Sequence, residues 1–280
     1  IEQVASLAEA GLLQAADPVT IMENGRALAQ GCGASAWLAT AFATAAALVA
    51  QTDAKVQAEV AGARITMAGL PDQHSVEDKD GQVVVSGVWP TVGGLAHAEW
   101  ILLSGLTLEG EPASGLVATR DVKASAYPHR GGLRGLVWSS IELKAAPVRL
   151  MRGAPDEAAL LLGALVGVAQ GAYADYVGAT RARISGVGGQ AVAQFTQVQS
   201  RLAETHAELK AVAALYADVL ARTASGQADD AECVRDRAYI ARKSVEAVNR
   251  LLSQMGAMGL AEANPVQRRF RDLRALASTR

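Results

Sequence analysis

Six consecutive residues, Trp89-Pro90-Thr91-Val92-Gly93-Gly94, combine the parts of a site for a flat ligand. The indole offers an apolar plate and the threonine a small hydroxyl. Two glycines without a Cβ let the backbone turn or approach a bound group closely. His97 and His129 are the nearest histidines, and an imidazole near neutral pH can donate or accept a proton. Arg134, together with Arg181 or Arg183, has the guanidinium chemistry for a phosphate. Each residue also has a plainer reading. Trp89 and Thr91 could end a strand and cap a turn, a lone histidine could be structural, and exposed arginines could form surface ion pairs.

The surrounding sequence shows which elements must carry these residues. From Ile1 to about Ala63 the spacing of Val4, Leu7, Leu12 and Leu13 is helical, Asp17-Pro18 breaks the first helix, and Ala34 to Ala50 forms a strongly apolar helix. Between Arg64 and about Pro147, glycine punctuates short β-branched runs: GQVVVSGVW, AEWILLSGLTL, SGLVATRDVKAS and GLVWSSIELKAA. Turn signals at Lys79-Asp80-Gly81 and Glu109-Gly110-Glu111-Pro112 separate them, which predicts a small β domain. After Pro155 the pattern is helical again, over about 155–183, 190–223 and 229–256, with a short last helix containing Gln267 to Asp272. Val198, Leu202, Leu209, Val212, Tyr216 and Val219 mark one face of the second of these helices, as a bundle requires. The expectation is a predominantly α, α+β protein: an N-terminal helical domain (1–63), a middle β-barrel-like domain (64–148) and a C-terminal antiparallel helix bundle (149–280).

Composition narrows the function classes. The chain has 280 residues, half of them hydrophobic and 19% charged, which is ordinary usage for a folded protein with a sizeable core. Its 26 basic and 28 acidic residues nearly cancel, so the basic footprint of a nucleic-acid-binding protein is missing. Cys32 and Cys233 stand alone without CxxC or histidine-rich spacing, which argues against a disulfide framework or a zinc site and for a reduced, cytoplasmic protein. The uncharged runs Ala34 to Ala50 and Ala158 to Ala174 are short and diluted by Ala and Gly, so they read as buried helices rather than membrane spans.

The order of elements and several motifs resemble the acyl-CoA dehydrogenase superfamily, including its flavin-dependent monooxygenase branch. Trp89 to Gly94 resembles the family's W-I-T-N-G-G turn, and Ala96-His97-Ala98-Glu99-Trp100 the run after it. Ile65-Thr66-Met67-Ala68-Gly69 falls where the family has L-T-E-P-G, and Gly132-Leu133-Arg134-Gly135 where it has G-x-R-G. Phe195 to Gln199 is similar to F-Q-x-V-Q, Gln254 to Gly259 to Q-x-x-G-G-x-G, and Pro265 to Asp272 to P-x-x-R-x-x-R-D. The resemblance implies FAD or FMN, with Thr66, Trp89, Thr91, Gly93, Arg134 and Gln254 as cofactor-binding residues. It also implies a homodimer or homotetramer and, for a monooxygenase, a flavin reductase as partner.

Departures from the pattern matter for mechanism. Gly93 stands where the monooxygenase branch has a serine, Leu136-Val137-Trp138 where small hydroxyl residues are usual, and no histidine follows Asp272. No residue is assigned as the catalytic base beyond the candidates His97 and His129. Three functions follow: a flavin-dependent dehydrogenase or monooxygenase acting on a small or carrier-bound organic substrate, a flavin-free cyclase or isomerase on the same scaffold, or a non-catalytic partner subunit. Arg268, Arg271 and Asp272 read as an ion-pair network, and Met255 and Met258 as bundle core.

Overall fold

The computed structural model describes residues 2–108, 110–127, 131–185, 189–228 and 231–278. His129 lies outside them. The chain groups into two compact units, Ile1–Ile21 with Trp37–Arg130 and Arg134–Glu157, and Met22–Ala36 with Gly131–Leu133 and Ala158–Arg280. The expected boundary near residue 63 does not mark a separate helical domain. Of these N-terminal residues, Met22–Ala36 group with the second unit and the rest with the first.

In the first unit, α1 (Glu2–Glu9) buries Val4 and Leu7. The helix α2 (Pro18–Ala29) belongs to it only through its first turn, and α3 (Gly33–Val49) from Trp37 onward. A short α4 (Ala54–Glu59) starts at Asp53, whose carboxylate accepts hydrogen bonds from the amides of Lys55 and Val56. Eight strands follow: β1 (Ile65–Ala68), β2 (Gln73–Lys79), β3 (Gln82–Val92), β4 (Trp100–Leu108), β5 (Glu111–Ala118), β6 (Lys123–Ala126), β7 (Ser139–Pro147) and β8 (Arg149–Arg152). They form one sheet in the order β6-β7-β3-β1-β4-β5-β8, with β2 paired to β3 off this path. Only β1 and β4 run parallel among these pairs, Ile65 opposite Trp100 and Ala68 opposite Leu103. Register shifts at Val85/Gly87, Trp89/Val92 and Leu103/Leu106 bend the strands locally. Val85, Trp89, Ile101, Leu103, Ile141 and Leu143 meet in a single buried cluster. The strand Arg149–Arg152 runs past the residue expected to end the β region.

The second unit is built around α5 (Glu157–Ala182), α6 (Thr196–Ala224), α7 (Ala231–Gln254) and α8 (Pro265–Ala277). By length and composition α5 could cross a membrane, but Leu161 through Ala169 are all buried within the protein. Three of its four glycines repeat every four residues, at Gly163, Gly167 and Gly171, and so share one face. A Cβ at Gly163 would overlap the Met22 carbonyl, one at Gly167 the Arg26 carbonyl and one at Gly171 the Arg269 guanidinium. The stripe lets α2 lie against α5 at backbone distance, and it leaves a slot for one arginine from α8. On α6 the predicted stripe is buried at Leu209, Val212, Tyr216 and Val219 and half-buried at Val198 and Leu202. Arg250 of α7 ties α6 to it by two hydrogen bonds to Glu208, 2.7 and 3.1 Å.

The α8 helix starts at Asn264, whose side chain accepts from the amides of Val266 and Gln267, with Pro265 in the first turn. Met255 packs with Tyr176, Leu251 and Val266, whereas Met258 is 56% exposed. Met258 is therefore not a core residue. The chain turns there in a 3₁₀ segment, Gly256–Leu260, which swings its side chain out of the bundle face.

Candidate functional site

The six-residue stretch that drew attention in the sequence is the end of β3 and the turn after it. Its placement follows from three interactions inside the first unit. The Gly69 amide donates to the Thr91 carbonyl at 2.9 Å. The Thr66 hydroxyl, on β1 and fully buried, donates to the Gly93 carbonyl at 2.6 Å. The Gly94 amide donates to the Leu136 carbonyl at 3.0 Å. The turn is thus clamped by β1 on one side and by the segment before β7 on the other.

The paired glycines answer to side chains of the chain itself. Gly94 has φ +68°, and a Cβ there would overlap Leu38 Cδ1 of α3. At Gly93 a Cβ would sit 2.8 Å from the Trp37 ring and 3.2 Å from that of Trp138. These two indoles meet edge to face, centroids 5.4 Å apart at 65°. Trp37 is 4% exposed and Trp138 is half-buried, so Trp138 is the member of the pair with accessible surface.

Trp89 occupies a different place from the one its sequence position suggests. Its ring is fully buried in the β core, and its Nε1 donates to the Ser104 carbonyl at 3.1 Å. It has no free face for a ligand in this structure. Pleat alternation accounts for this, since Trp89 and Val85 lie on the core side of β3. The Thr66 hydroxyl is likewise engaged inside, where it fixes the turn. Thr91 is half-buried, with its hydroxyl beside Gly69.

His97 ends the short 3₁₀ turn Leu95–His97, and its amide donates to the Gly94 carbonyl at 3.0 Å. The ring is half-buried, and burial, with a contribution from the Arg64 guanidinium, pulls its pKa below the usual histidine value. Both effects favour the neutral ring. Nearby, Arg64 holds Glu99 through its amide and its guanidinium, both at 2.8 Å.

The remaining candidates lie elsewhere. Arg134 is exposed in the turn Arg134–Leu136, and Arg181 and Arg183 are exposed at and beyond the end of α5. In the second unit, Gln254 accepts a hydrogen bond from the Tyr176 hydroxyl at 3.0 Å, while its own buried Nε2 has no partner. Two motifs read separately in the sequence come together there. The Leu133 amide donates to Asp272 Oδ1 at 2.6 Å, Arg271 Nη1 donates to the Gly131 carbonyl at 3.0 Å, and a Cβ at Gly132 would overlap the Arg271 carbonyl. Burial raises the pKa of Asp272, against the lowering effect of that amide and of Arg268 and Arg271.

Sequence reasoning missed the residue that anchors α8. Arg269, 5% exposed, donates to Asp175 on α5 at 2.8 Å and to the Ala29 carbonyl at 2.8 Å. This ion pair stands beside the expected group of Arg268, Arg271 and Asp272, because helical spacing turns Arg269 inward with Val266 and Leu273. The glycine at 171, four residues before Asp175, was the available signal.

At the turn, Thr91 is half-buried with its hydroxyl beside Gly69, and Trp37, Leu38 and Trp138 fill the space in front of Gly93 and Gly94. Trp89 and Thr66 hold that turn from within. Among the described residues, no group of three His, Cys, Asp or Glu side chains could hold a metal ion.

Comparisons with known proteins find similarity in the bundle and along most of the chain. Residues 159–279 match the model of the acyl-CoA dehydrogenase C-terminal domain. A flavin-dependent monooxygenase, oxygenase subunit HsaA, of Rhodococcus jostii RHA1 is 24% identical over 93% of this chain and 79% of its own length. The oxygenase component of an FADH(2)-dependent resorcinol hydroxylase from a Rhizobium species is 27% identical over 91% and 75%. XiaF from Streptomyces, solved in complex with FADH2 and glycerol, shares the fold with a TM-score of 0.84 at 21% identity, covering 99% of this chain and 83% of that one. The C-terminal bundle is thus similar to the acyl-CoA dehydrogenase C-terminal domain, and more than nine-tenths of the chain is similar to flavin-dependent oxygenase components.

Proposed function

We propose that this protein is a flavin-dependent oxidoreductase of the monooxygenase type, acting on a small organic substrate with FAD or FMN. The observation that carries this reading is the clamped, glycine-paired turn at Thr91 to Gly94. It lies in a chain similar over more than nine-tenths of its length to flavin-dependent oxygenase components. When bound, the flavin supplies the hydride or oxygen chemistry. The protein supplies position and environment.

Thr66 and the Leu136 carbonyl keep the turn rigid, which cuts the ordering cost of binding a ring against it. Thr91 offers a hydroxyl to a polar edge of the ring. Trp37 and Trp138 exclude water from one side and so strengthen the hydrogen bonds made there. His97, whose neutral form burial favours, is the proton acceptor of this proposal, and Arg134 is its contact to a phosphate. A reductase that delivers reduced flavin, a homo-oligomeric state and a cytoplasmic location complete the reading.

A second reading, a flavin-free cyclase or isomerase, is favoured by one observation. The space before Gly93 and Gly94 is filled by Trp37, Leu38 and Trp138. Titration of the purified protein with oxidised and reduced FAD and FMN, followed by absorbance, separates the two. Stoichiometric binding with an altered flavin spectrum in Thr91→Val supports the first. The absence of binding by any form rejects it.

A further inference from the structure

We propose that Thr40 and Thr44 of α3 form a binding site for a small neutral molecule that carries a hydroxyl or a carbonyl. The inference deepens the small-organic-substrate part of the function proposed above and does not depend on flavin. Three features of the first unit carry it.

First, the two hydroxyls are buried without partners. Thr40 is 3% exposed and Thr44 4%, and neither Oγ1 makes a hydrogen bond. A buried hydroxyl left unpaired is costly, and each one that persists in a fold requires an explanation. A helical threonine has a remedy at hand, because rotation about χ1 brings its Oγ1 to the carbonyl four residues earlier. Thr205, Thr223 and Ser253 all take it, donating to the Arg201, Val219 and Asn249 carbonyls at 2.8, 2.9 and 2.8 Å. Thr40 and Thr44 do not donate to the carbonyls of Ala36 and Thr40, so their hydroxyls stay available to a group outside the helix.

Second, the helix gives them a common face of low relief. Trp37, Thr40, Ala41, Thr44, Ala45 and Leu48 share one side of α3 by helical spacing. Between the two large residues at its ends, that side carries nothing bigger than threonine. Four residues separate Thr40 from Thr44, about 6 Å along the helix axis. Two oxygens on one six-membered ring can reach both.

Third, α3 selects against charge. Gly33–Val49 contains no Asp, Glu, Lys, Arg or His. A carboxylate or ammonium beside the threonines would find no counter-charge on this helix and would bear the penalty of leaving water. A hydroxyl both donates and accepts, so an alcohol, a phenol or a ketone is served equally.

The test uses 4-hydroxyacetophenone, a ring with a phenol and a ketone at opposite ends, with toluene as the ring alone and 4-hydroxybenzoate as the charged analogue. Calorimetric and saturation-transfer NMR titrations read Kd in wild type, Thr40→Val/Thr44→Val and Thr40→Ser/Thr44→Ser, each with and without FMN. The valine pair is expected to raise Kd for 4-hydroxyacetophenone at least tenfold and to leave toluene within threefold. It should keep or raise the wild-type Tm, since it removes two unpaired hydroxyls. The serine pair should bind within threefold of wild type, and 4-hydroxybenzoate should bind wild type at least tenfold more weakly than the ketone. Wild-type affinity in a folded valine pair overturns the proposal. A valine pair that loses Tm or fails to fold overturns it equally, because the hydroxyls then serve the fold. No saturable binding of the ketone by wild type, with or without FMN, also overturns it. None of these results touches the flavin reading, which its own titration decides.

Discussion

Replacement of Arg269 by alanine should be among the most damaging single changes in the second unit. The side chain is 7% exposed and its partner Asp175 28%. Truncation leaves a carboxylate without its counter-charge, a buried Ala29 carbonyl without its donor, and a void beside Gly171. Breaking a buried pair by removing one partner costs about 3–5 kcal/mol, and the partial exposure of Asp175 places this case near about 3. For a chain of this size that corresponds to a fall in Tm of roughly 6–10 °C. Chemical denaturation followed by circular dichroism measures the change. A double-mutant cycle with Asp175→Ala should recover a coupling of about 1–3 kcal/mol. Arg269→Lys restores charge without the forked donor set and should recover only part of the loss. A loss below about 1 kcal/mol for Arg269→Ala, or a cycle with no coupling, would refute the view that this arginine anchors α8.

Three further outcomes follow from the geometry. Gly94→Ala forces a Cβ into the left-handed region and against Leu38, so thermal unfolding should show about 1–3 kcal/mol of destabilisation. Thr66→Val removes the hydroxyl that satisfies the Gly93 carbonyl and should cost about 1–3 kcal/mol, while Thr66→Ser retains most of the stability. Burial raises the folded-state pKa of Asp272, so its contribution is fully present below the ordinary aspartate range and is lost as pH rises through the raised value. Asp272→Asn keeps an acceptor for the Leu133 amide, and its urea midpoint should vary less than wild type across that window.

The strands and the long helices were legible because their periodicities are local. The runs around Val83 to Trp89 and Trp100 to Leu106 became β3 and β4, and the last three long helices began and ended within a few residues of expectation, apart from a later start to α6. What a pattern of period two cannot say is which face is core, and this is where the reading of Trp89 as a ligand plate departed from its buried position. The glycines at 93 and 94 were correctly read as permitting close approach. The approaching groups, Trp37 and Trp138, lie 56 and 45 residues away in sequence and could not be found by spacing. Arg269 escaped for a related reason: its neighbours Arg268 and Arg271 look the same in composition, and only the helical phase relative to Val266 singles out the buried one.

The links between α8 and residues 29 and 133 set an order for synthesis. Every segment of the first unit has been made once residue 157 leaves the ribosome, so its sheet can form while the rest is being translated. The second unit has no such early route. Met22–Ala36 is made well ahead of α5, yet the arginine that binds the Ala29 carbonyl arrives 240 residues after that carbonyl. Until then that segment has an apolar face and an open carbonyl with no permanent partner, and a nascent chain stalled before α8 should present both to chaperones.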